Sequence, residues 1–455
     1  MKNIFLLIIA VLLGSGLYAQ GEIQDESAER NQYGKAVTDR KTLLPEVRDG
    51  ILVMQSADKS YKFWFDIRVQ TDANYFFDAP HSKGFNELGD GYSLRRARFA
   101  AKADLTKNWY GEIDLNFANG VFELEDAYLM FHTGGFLIRG GNFKETFSMS
   151  ETSSSRYIPF MERSMAVAAF APGRQIGFNA QYSSRYLLGS LGVSFQAIED
   201  AETRTFVEDN NKDFGMDENG AYYGKLVFQP FNNADYGLHL AGAYSWRNPK
   251  TSEETRGTIR YSTRSLSNIN RKKFLDTDNI GDYDHNQLSN AEVAVWYKPL
   301  VITGEYLTNT VSRTNGREDL NFGGFYIQGN CLLFGGRQIY VKSEGEFTQP
   351  DLGRKWGDIE LTFRYDYINM NSKDITGGAA EGYTAGLNFY LNKNVKFQLN
   401  YSYINHDRYA NGKGSLVTGL DANGQPTRNP ANVAAPKGEG GHDYSLLGLR
   451  FEVDF

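Results

Sequence analysis

From about residue 60 onward the chain is written in blocks of roughly ten residues whose side chains alternate between apolar and polar. Tyr61, Phe63, Phe65, Ile67 and Val69 alternate with Lys62, Trp64, Asp66, Arg68 and Gln70. Ile359, Leu361, Phe363, Tyr365 and Tyr367 alternate with Asp358, Glu360, Thr362, Arg364 and Asp366. Val395, Phe397, Leu399, Tyr401 and Tyr403 alternate with Lys396, Gln398, Asn400 and Ser402. Period two is the repeat of an extended strand with one apolar and one polar face. A tilted strand needs about nine to eleven residues to cross a bilayer.

The same pattern places strands near 93–104, 109–118, 123–132, 135–143, 173–182, 187–197, 221–229, 236–246, 288–297, 300–309, 322–333, 382–391 and 444–455. With the three blocks above, about 16 strands are expected, an even number that returns the chain to the rim it started from. Short links (Leu105 to Asn108, Lys298-Pro299, Asn392-Lys393-Asn394) alternate with long ones at 144–172, 198–220, 247–287 and 405–443. Short turns on one rim and long loops on the other characterise a transmembrane barrel. A propeller or sandwich also has many short strands. It has no need of the sustained length or of aromatics at strand ends, such as Trp109-Tyr110 and Tyr244 to Trp246.

Composition narrows the field further. Aromatic residues make up 14% of the 455 residues and glycine contributes 47, as suits interfacial belts and tight turns. A helical membrane bundle is excluded, because the one long apolar run is at the very start. Cys331 is the only cysteine, which excludes a disulfide scaffold. A net charge of −7 argues against nucleic-acid partners. The expected fold is therefore an all-β transmembrane antiparallel barrel of about 16 strands over residues 61–455.

Residues 1–19 carry Lys2, an apolar run from Ile4 to Leu13 and small residues before Ala19. That order predicts a signal peptide cleaved after Ala19, and export to the bacterial outer membrane. Residues 20–60 are polar with little period and read as a periplasmic leader. Phe455 ends an amphipathic strand in which Leu447, Leu449, Phe451 and Val453 alternate with Gly448, Arg450, Glu452 and Asp454. An aromatic end of this kind suits recognition by the machinery that assembles outer-membrane barrels.

No enzyme chemistry is nominated. The six histidines (81, 132, 239, 285, 406, 442) are scattered, and no nucleophile elbow, phosphate loop or dinucleotide fingerprint occurs. No metal or cofactor is expected. Asp276, Asp278, Asp282 and Asp284 partly mimic a calcium loop, but Ile280 and Gln287 stand where oxygen ligands belong.

Two stretches run against the acidic average. In Ser93 to Asn108, Arg95, Arg96, Arg98, Lys102 and Lys107 face a single Asp104. Alternation puts Arg96, Arg98 and Lys102 on one face and Ala97, Phe99, Ala101 and Ala103 on the other. Charge is costly on the lipid face, so the basic face should point into the lumen, with Arg95 on the other face reaching the rim. A lumenal row of Arg either concentrates anions or forms a structural ladder with Glu112 and Asp114. The second stretch holds Arg139, Lys144, Arg156, Arg163 and Arg174. Its middle, 145–172, carries Phe147, Met149, Tyr157, Ile158, Pro159, Phe160 and Met161, which need a surface to bury against. Folding into the barrel would supply one and narrow the pore; a trimer-contact or lid role is the alternative.

The runs Gly141-Asn142-Phe143-Lys144-Glu145, Ser153-Ser154-Ser155-Arg156-Tyr157, Phe160-Met161-Glu162-Arg163-Ser164 and Pro172-Gly173-Arg174 resemble the phosphate-selective porin O and P family. So do Leu94-Arg95-Arg96-Ala97-Arg98-Phe99 and Gly386-Leu387-Asn388-Phe389-Tyr390-Leu391-Asn392. The resemblance implies a homotrimer of 16-stranded barrels whose inward third loop makes the constriction, passing phosphate or other anions by passive diffusion. It implies anion contacts at Arg96, Arg98, Lys102, Lys144, Arg156 and Arg163. Glu112, Asp114, Asp358, Glu360 and Asp366 also fall on inferred lumen faces, and mixed charge of this kind weakens strict phosphate selectivity. An alternative role is a barrel whose long outer loops, 247–287 and 405–443, bind glycan or protein ligands.

Overall fold

The computed structural model describes residues 30, 34, 42–77, 88–120, 122–195, 197–198, 220–248, 257–269, 272–407, 409, 419–434 and 443–455. The expected signal peptide lies outside these residues. The wall is one closed antiparallel sheet of sixteen strands in chain order. They are β1 (Lys62–Phe77), β2 (Gly91–Asp104), β3 (Trp109–Asn116), β4 (Glu123–Thr133), β5 (Phe136–Lys144), β6 (Arg174–Ser183), β7 (Leu187–Ser194) and β8 (Ala221–Asn232). The second half comprises β9 (Tyr236–Arg247), β10 (Tyr283–Tyr297), β11 (Leu300–Arg313), β12 (Leu320–Leu332), β13 (Asp358–Ser372), β14 (Ile375–Tyr390), β15 (Val395–His406) and β16 (Tyr444–Asp454). Closure comes from β16 on β1, in register from Ser445↔Phe77 to Asp454↔Arg68. Ile67 and Phe455 exchange both backbone hydrogen bonds at the rim.

Alternation does what the period predicts. On β1, Asp66, Arg68, Gln70, Asp72 and Asn74 are buried inside, while Tyr75 and Phe77 face out. Leu191 at 72% and Phe178 at 62% exposure belong to the outward apolar band, the surface that lipid covers. Several strands outrun the bilayer: β1 and β14 are 16 residues long. Arg95 corrects the expectation for β2. The ladder slips between Gln70↔Arg96 and Thr71↔Leu94, leaving Arg95 as the extra residue of a β-bulge. A bulge turns two successive side chains to one side, so Arg95 joins Arg96 inside rather than reaching the outer rim.

The polar leader contains more order than its composition suggests. Leu43–Arg48 and Ile51–Ser56 form a hairpin whose second strand pairs with the start of β1 at Val53↔Trp64 and Gln55↔Lys62. It covers the part of the β1 edge that lies beyond the end of β16, where unpaired backbone groups would otherwise invite another strand.

The connection 145–173 folds into the lumen. It carries two short helices, α1 (Met149–Thr152) and α2 (Met165–Phe170), and wall carboxylates meet their open N-terminal amides. Glu292 accepts from Met149 N at 2.9 Å, Glu305 from Ser150 N at 2.7 Å and Asp366 from Met165 N at 2.9 Å. Orphan N–H groups and the helix dipole both favour an acceptor there. Phe147, Met165, Val167 and Phe170 pack with inward Leu307, Val311, Phe322 and Ile368 in an apolar core inside the barrel. Each such burial is worth about 1.5–3 kcal/mol. Part of the 247–287 loop joins this core rather than standing outside: Tyr261, Leu266, Phe274, Leu275 and Ile280 are buried in it. The wall makes room with glycine. A Cβ on Gly324 would sit 2.7 Å from Ala166 Cβ and 2.4 Å from Tyr367 O, and one on Gly448 would sit 2.8 Å from Met161 Sδ.

One connection on the short-turn rim is itself long. Residues 333–357 lie on the rim of the short turns, the periplasmic rim, yet form a hairpin of Arg337–Val341 and Glu346–Asp351 that also enters the lumen. Tyr340 stacks on Trp296 at 4.6 Å and meets His239 Nδ1 at 2.7 Å. Gln181 and Gln229 of the wall donate to Ser343 O and Lys342 O at 2.7 and 3.2 Å. Its base is fixed by Asp358, which accepts from the backbone N–H of Phe334, Gly336 and Gly353, each at 2.9 Å.

Charge clamps the constriction loop to the wall. Arg450, fully buried, donates twice to Asp72 at 2.7 Å and once to Met161 O at 2.7 Å. Arg450→Met should leave the Asp72 charge buried without a partner, costing about 3–5 kcal/mol. The check is a lowered melting temperature in detergent, partly recovered when Asp72→Leu is added. Glu162, at the tip of the same clamp, answers to acid. Burial alone would raise its carboxyl, but Arg95, donating at 2.8 and 3.1 Å, and then Arg450 hold it well below the usual range. A depressed carboxylate contributes to attachment above its unfolded pKa of about 4.3 and loses that contribution as pH falls. Single-channel recordings should be quiet above about pH 5 and flicker increasingly below about pH 4.

Candidate functional site

With one side of the lumen filled by the folded-in loops, open space remains along the wall from β1 to β8. It is a cavity of about 680 Å³, roofed by residues 152–157 of the constriction loop and bordered below by Ser343, Glu344 and Glu346 of the lumenal hairpin. Eight basic side chains line it: Arg68, Arg98, Lys102, Arg139, Lys144, Arg156, Arg174 and Lys225. Six carboxylates accompany them: Asp66, Glu112, Asp114, Asp126, Glu344 and Glu346. Tyr110, Tyr128, Phe143 and Tyr157 supply aromatic surface.

Four of the six residues singled out in the sequence converge here. Arg98 pairs with Glu125 and, at 3.5 Å, with Asp114. Lys102 bridges Asp66 at 2.8 Å and Glu112 at 3.3 Å. Lys144 donates to Glu151 O at 2.6 Å and Ser153 O at 3.2 Å, tying the end of β5 to the C-terminal carbonyls of α1. Arg156 drops from the loop onto Asp66 and lies 3.5 Å from Asp454.

The other two lie elsewhere. Arg96 is buried behind the loop and donates to Gln70 at 2.7 Å. Arg163 donates to Ser150 O at 2.7 Å and Ser153 O at 2.9 Å, and pairs with Glu151 at 3.1 Å. It borders a separate small cleft beside Phe160 and Arg364. Both sit where they brace the constriction loop rather than where a solute passes.

Of the five carboxylates expected on lumen faces, Glu112 and Asp114 reach the cavity. Asp358, Glu360 and Asp366 hold other protein groups. Glu360 accepts from Asn330 at 2.6 Å, Gln338 at 2.7 Å and both Asn388 and Tyr390 at 2.9 Å. Arg68, Arg139, Arg174, Lys225 and the hairpin carboxylates were not singled out as site residues. Arg68 lies on a polar face already visible in the alternation, whereas Arg139 shares its face with Leu137 and Phe143. The long link after β12 was the overlooked sign of an inserted segment.

Nearly every ion on this wall is cancelled locally. Arg174 pairs with Asp126 and Glu125, each at 2.6 Å, Lys225 with Glu292 at 2.8 Å and Arg68 with Asp454 at 3.3 Å. Among the described residues, Arg139 is the lining cation without a carboxylate within salt-bridge distance; its guanidinium lies 4.3 Å over the Phe143 ring. Glu112, Asp114 and Asp126 bring carboxylate oxygens together as a metal site would, but Lys102, Arg98 and Arg174 already satisfy their charge. In the acidic 276–284 stretch, Asp276 is held by Arg260, Asp282 lies 3.5 Å from Arg317 and Asp284 lies 2.8 Å from His285. These carboxylates take separate partners.

The geometry describes an open cavity lined by fixed charges, with no reacting constellation among the described residues. Comparison with known proteins agrees with it. The profile of the phosphate-selective porin O and P family matches residues 65–425. Porin O of Pseudomonas aeruginosa is 24% identical over 418 residues, covering 84% of this chain and 91% of that protein. An uncharacterized protein of Caulobacter vibrioides is 26% identical over 411 residues, covering 88% and 75%. In fold, the chain is similar to the trimer form of OmpT of Vibrio cholerae, with TM-score 0.51 and 10% identity over 87% of this chain and all of that one. It is similar too to the anion-selective porin from Comamonas acidovorans, with TM-score 0.50, 10% identity and the same coverage. The chain belongs to the phosphate-selective porin O and P family: it is a bacterial outer-membrane porin, a channel and not an enzyme.

Proposed function

We propose that this porin passes phosphate and other small anions by passive diffusion, with Arg98, Lys102, Lys144 and Arg156 contacting them on the way. The observation that carries this is the convergence of eight basic side chains against six carboxylates on one cavity beneath the constriction loop. In such a confined, low-dielectric passage, closely spaced guanidinium and ammonium groups offer an anion a series of successive contacts. Ion-paired Arg and Lys still have free N–H donors, so a permeating anion can share them without first displacing the carboxylate. Arg96 and Arg163, named with these four from sequence, act here by bracing the loop.

Four further features belong to this reading. Residues 1–19 serve as the signal peptide, cleaved after Ala19, and residues 20–60 precede the barrel domain on the periplasmic side. The C-terminal strand ending at Phe455 is engaged by the barrel-assembly machinery. The protein works as a homotrimer, as the V. cholerae neighbour's trimer form suggests.

In planar bilayers under a KCl gradient, the purified protein should carry more anion than cation current. Lys144→Glu and Arg98→Glu should each reduce that preference, because each reverses a lining charge. A cation-preferring pore, or no change in either variant, would remove the anion assignment.

A further inference from the structure

The lumenal hairpin delivers two carboxylates into the anion path from below, and they differ from every other carboxylate on the cavity. Asp66, Glu112, Asp114 and Asp126 each have a Lys or Arg within 4 Å. Among the described residues, Glu344 and Glu346 have none. A paired ion acts at a distance as a dipole, with a field that dies away quickly; an unpaired one acts as a full charge. The wall's many charges therefore largely cancel, and the hairpin pair and Arg139 remain as the uncompensated charges of the cavity.

Resting on the anion-path reading above, we infer that Glu344 and Glu346 are the charge filter of this channel, holding back multiply charged anions and favouring singly charged anions and zwitterions. The energy of a permeant in the field of fixed carboxylates scales with its charge, so a dianion meets about twice the barrier of a monoanion. A zwitterion can turn its cationic end to the hairpin and its anionic end to Arg139. The hairpin is well placed for this work, because its strands are fixed at Tyr340 by His239 and Trp296 and at Asp358 by three backbone donors.

The filter also responds to pH. Glu346 faces Glu344 on its own hairpin, Thr152 and Ser153 of the constriction loop, Lys144 of β5 and Lys225 of β8. Glu151 lies 3.9 Å from Lys144 on the far side, and Arg139 acts on Glu344. Burial, reinforced by Glu344, pushes the Glu346 carboxyl up to about 7 against the pull of Lys144. Acidification thus removes negative charge from the path.

The test compares sulfate, chloride and potassium permeability from reversal potentials of the whole protein in planar bilayers. Glu344→Gln combined with Glu346→Gln should raise the sulfate-to-chloride ratio several-fold, and Glu344→Lys alone should shift it the same way. Lowering the pH of the wild type from about 8 to 6 should move the ratio in that direction as well, and Glu346→Gln should weaken the pH response. Unchanged ratios in these variants, or a pH response that Glu346→Gln leaves unaltered, would overturn the filter even in an anion-selective pore. A wild type that prefers potassium yet shows the same shifts would uphold the filter and overturn the anion path alone.

Discussion

In hydrocarbon every backbone N–H and C=O must find its partner within the protein, and the closure of β16 on β1 is the step on which all else depends. It removes the sheet's free edges across the membrane. The staggered ladder still leaves the first residues of β1 beyond the reach of β16. The hairpin at 43–56 covers that remnant, so a stretch outside the wall completes the wall's hydrogen bonding. Closure also commits each strand to one lipid face and one lumen face. More than fifty buried polar and charged side chains of wall and loops are thereby gathered into a space where they can satisfy one another.

That confinement explains why so much of the lumen's charge does structural work. Burying an ion is expensive unless it is paired and hydrogen-bonded, and a loop folded into the barrel buries whatever lies behind it. Arg450 with Asp72, Arg95 with Glu162 and Lys396 with Glu452 are the result. Carboxylates from the wall cap the loop's helices, where a tight turn alone would leave amides unsatisfied. The permeation path is what remains after this anchoring, pushed to the β1 to β8 side by an apolar core on the other.

The barrel was legible from the alternation, since sixteen strands predicted in order correspond to the sixteen observed; their ends differ, Ile375–Tyr390 being expected only from 382 and Leu187–Ser194 as far as 197. The inward constriction loop was legible as one of two outcomes, because Phe147 and Phe160 needed a surface to bury against and a trimer contact could have supplied one as well as the lumen. What period two could not reveal was any departure from it. Arg95 has the parity of an outward residue until the bulge flips it. Inward Leu307, Val311, Phe322 and Ile368 look like strand-end noise unless the loop they cover is known to be there. Arg96 and Arg98 look identical along the sequence, and only the path of the loop decides that one is sealed behind it and the other opens onto the cavity. Glu344 and Glu346 were missed because a long link on the short-turn rim was not recognised as an inserted hairpin.

Net charge is thus a poor guide to what a channel of this kind admits. The chain is acidic overall at −7, while the cavity lining is basic by two, and neither sum is what a solute meets. A pair such as Lys102 with Asp66 at 2.8 Å contributes little field a few ångströms away, whereas a lone charge at the same depth is felt across the whole passage. Counting lone charges leaves Arg139 on the wall and the two hairpin glutamates opposite as the groups that dominate. The selectivity of the pore then depends less on how many arginines line it than on which charges the folding of the loops has left without a partner.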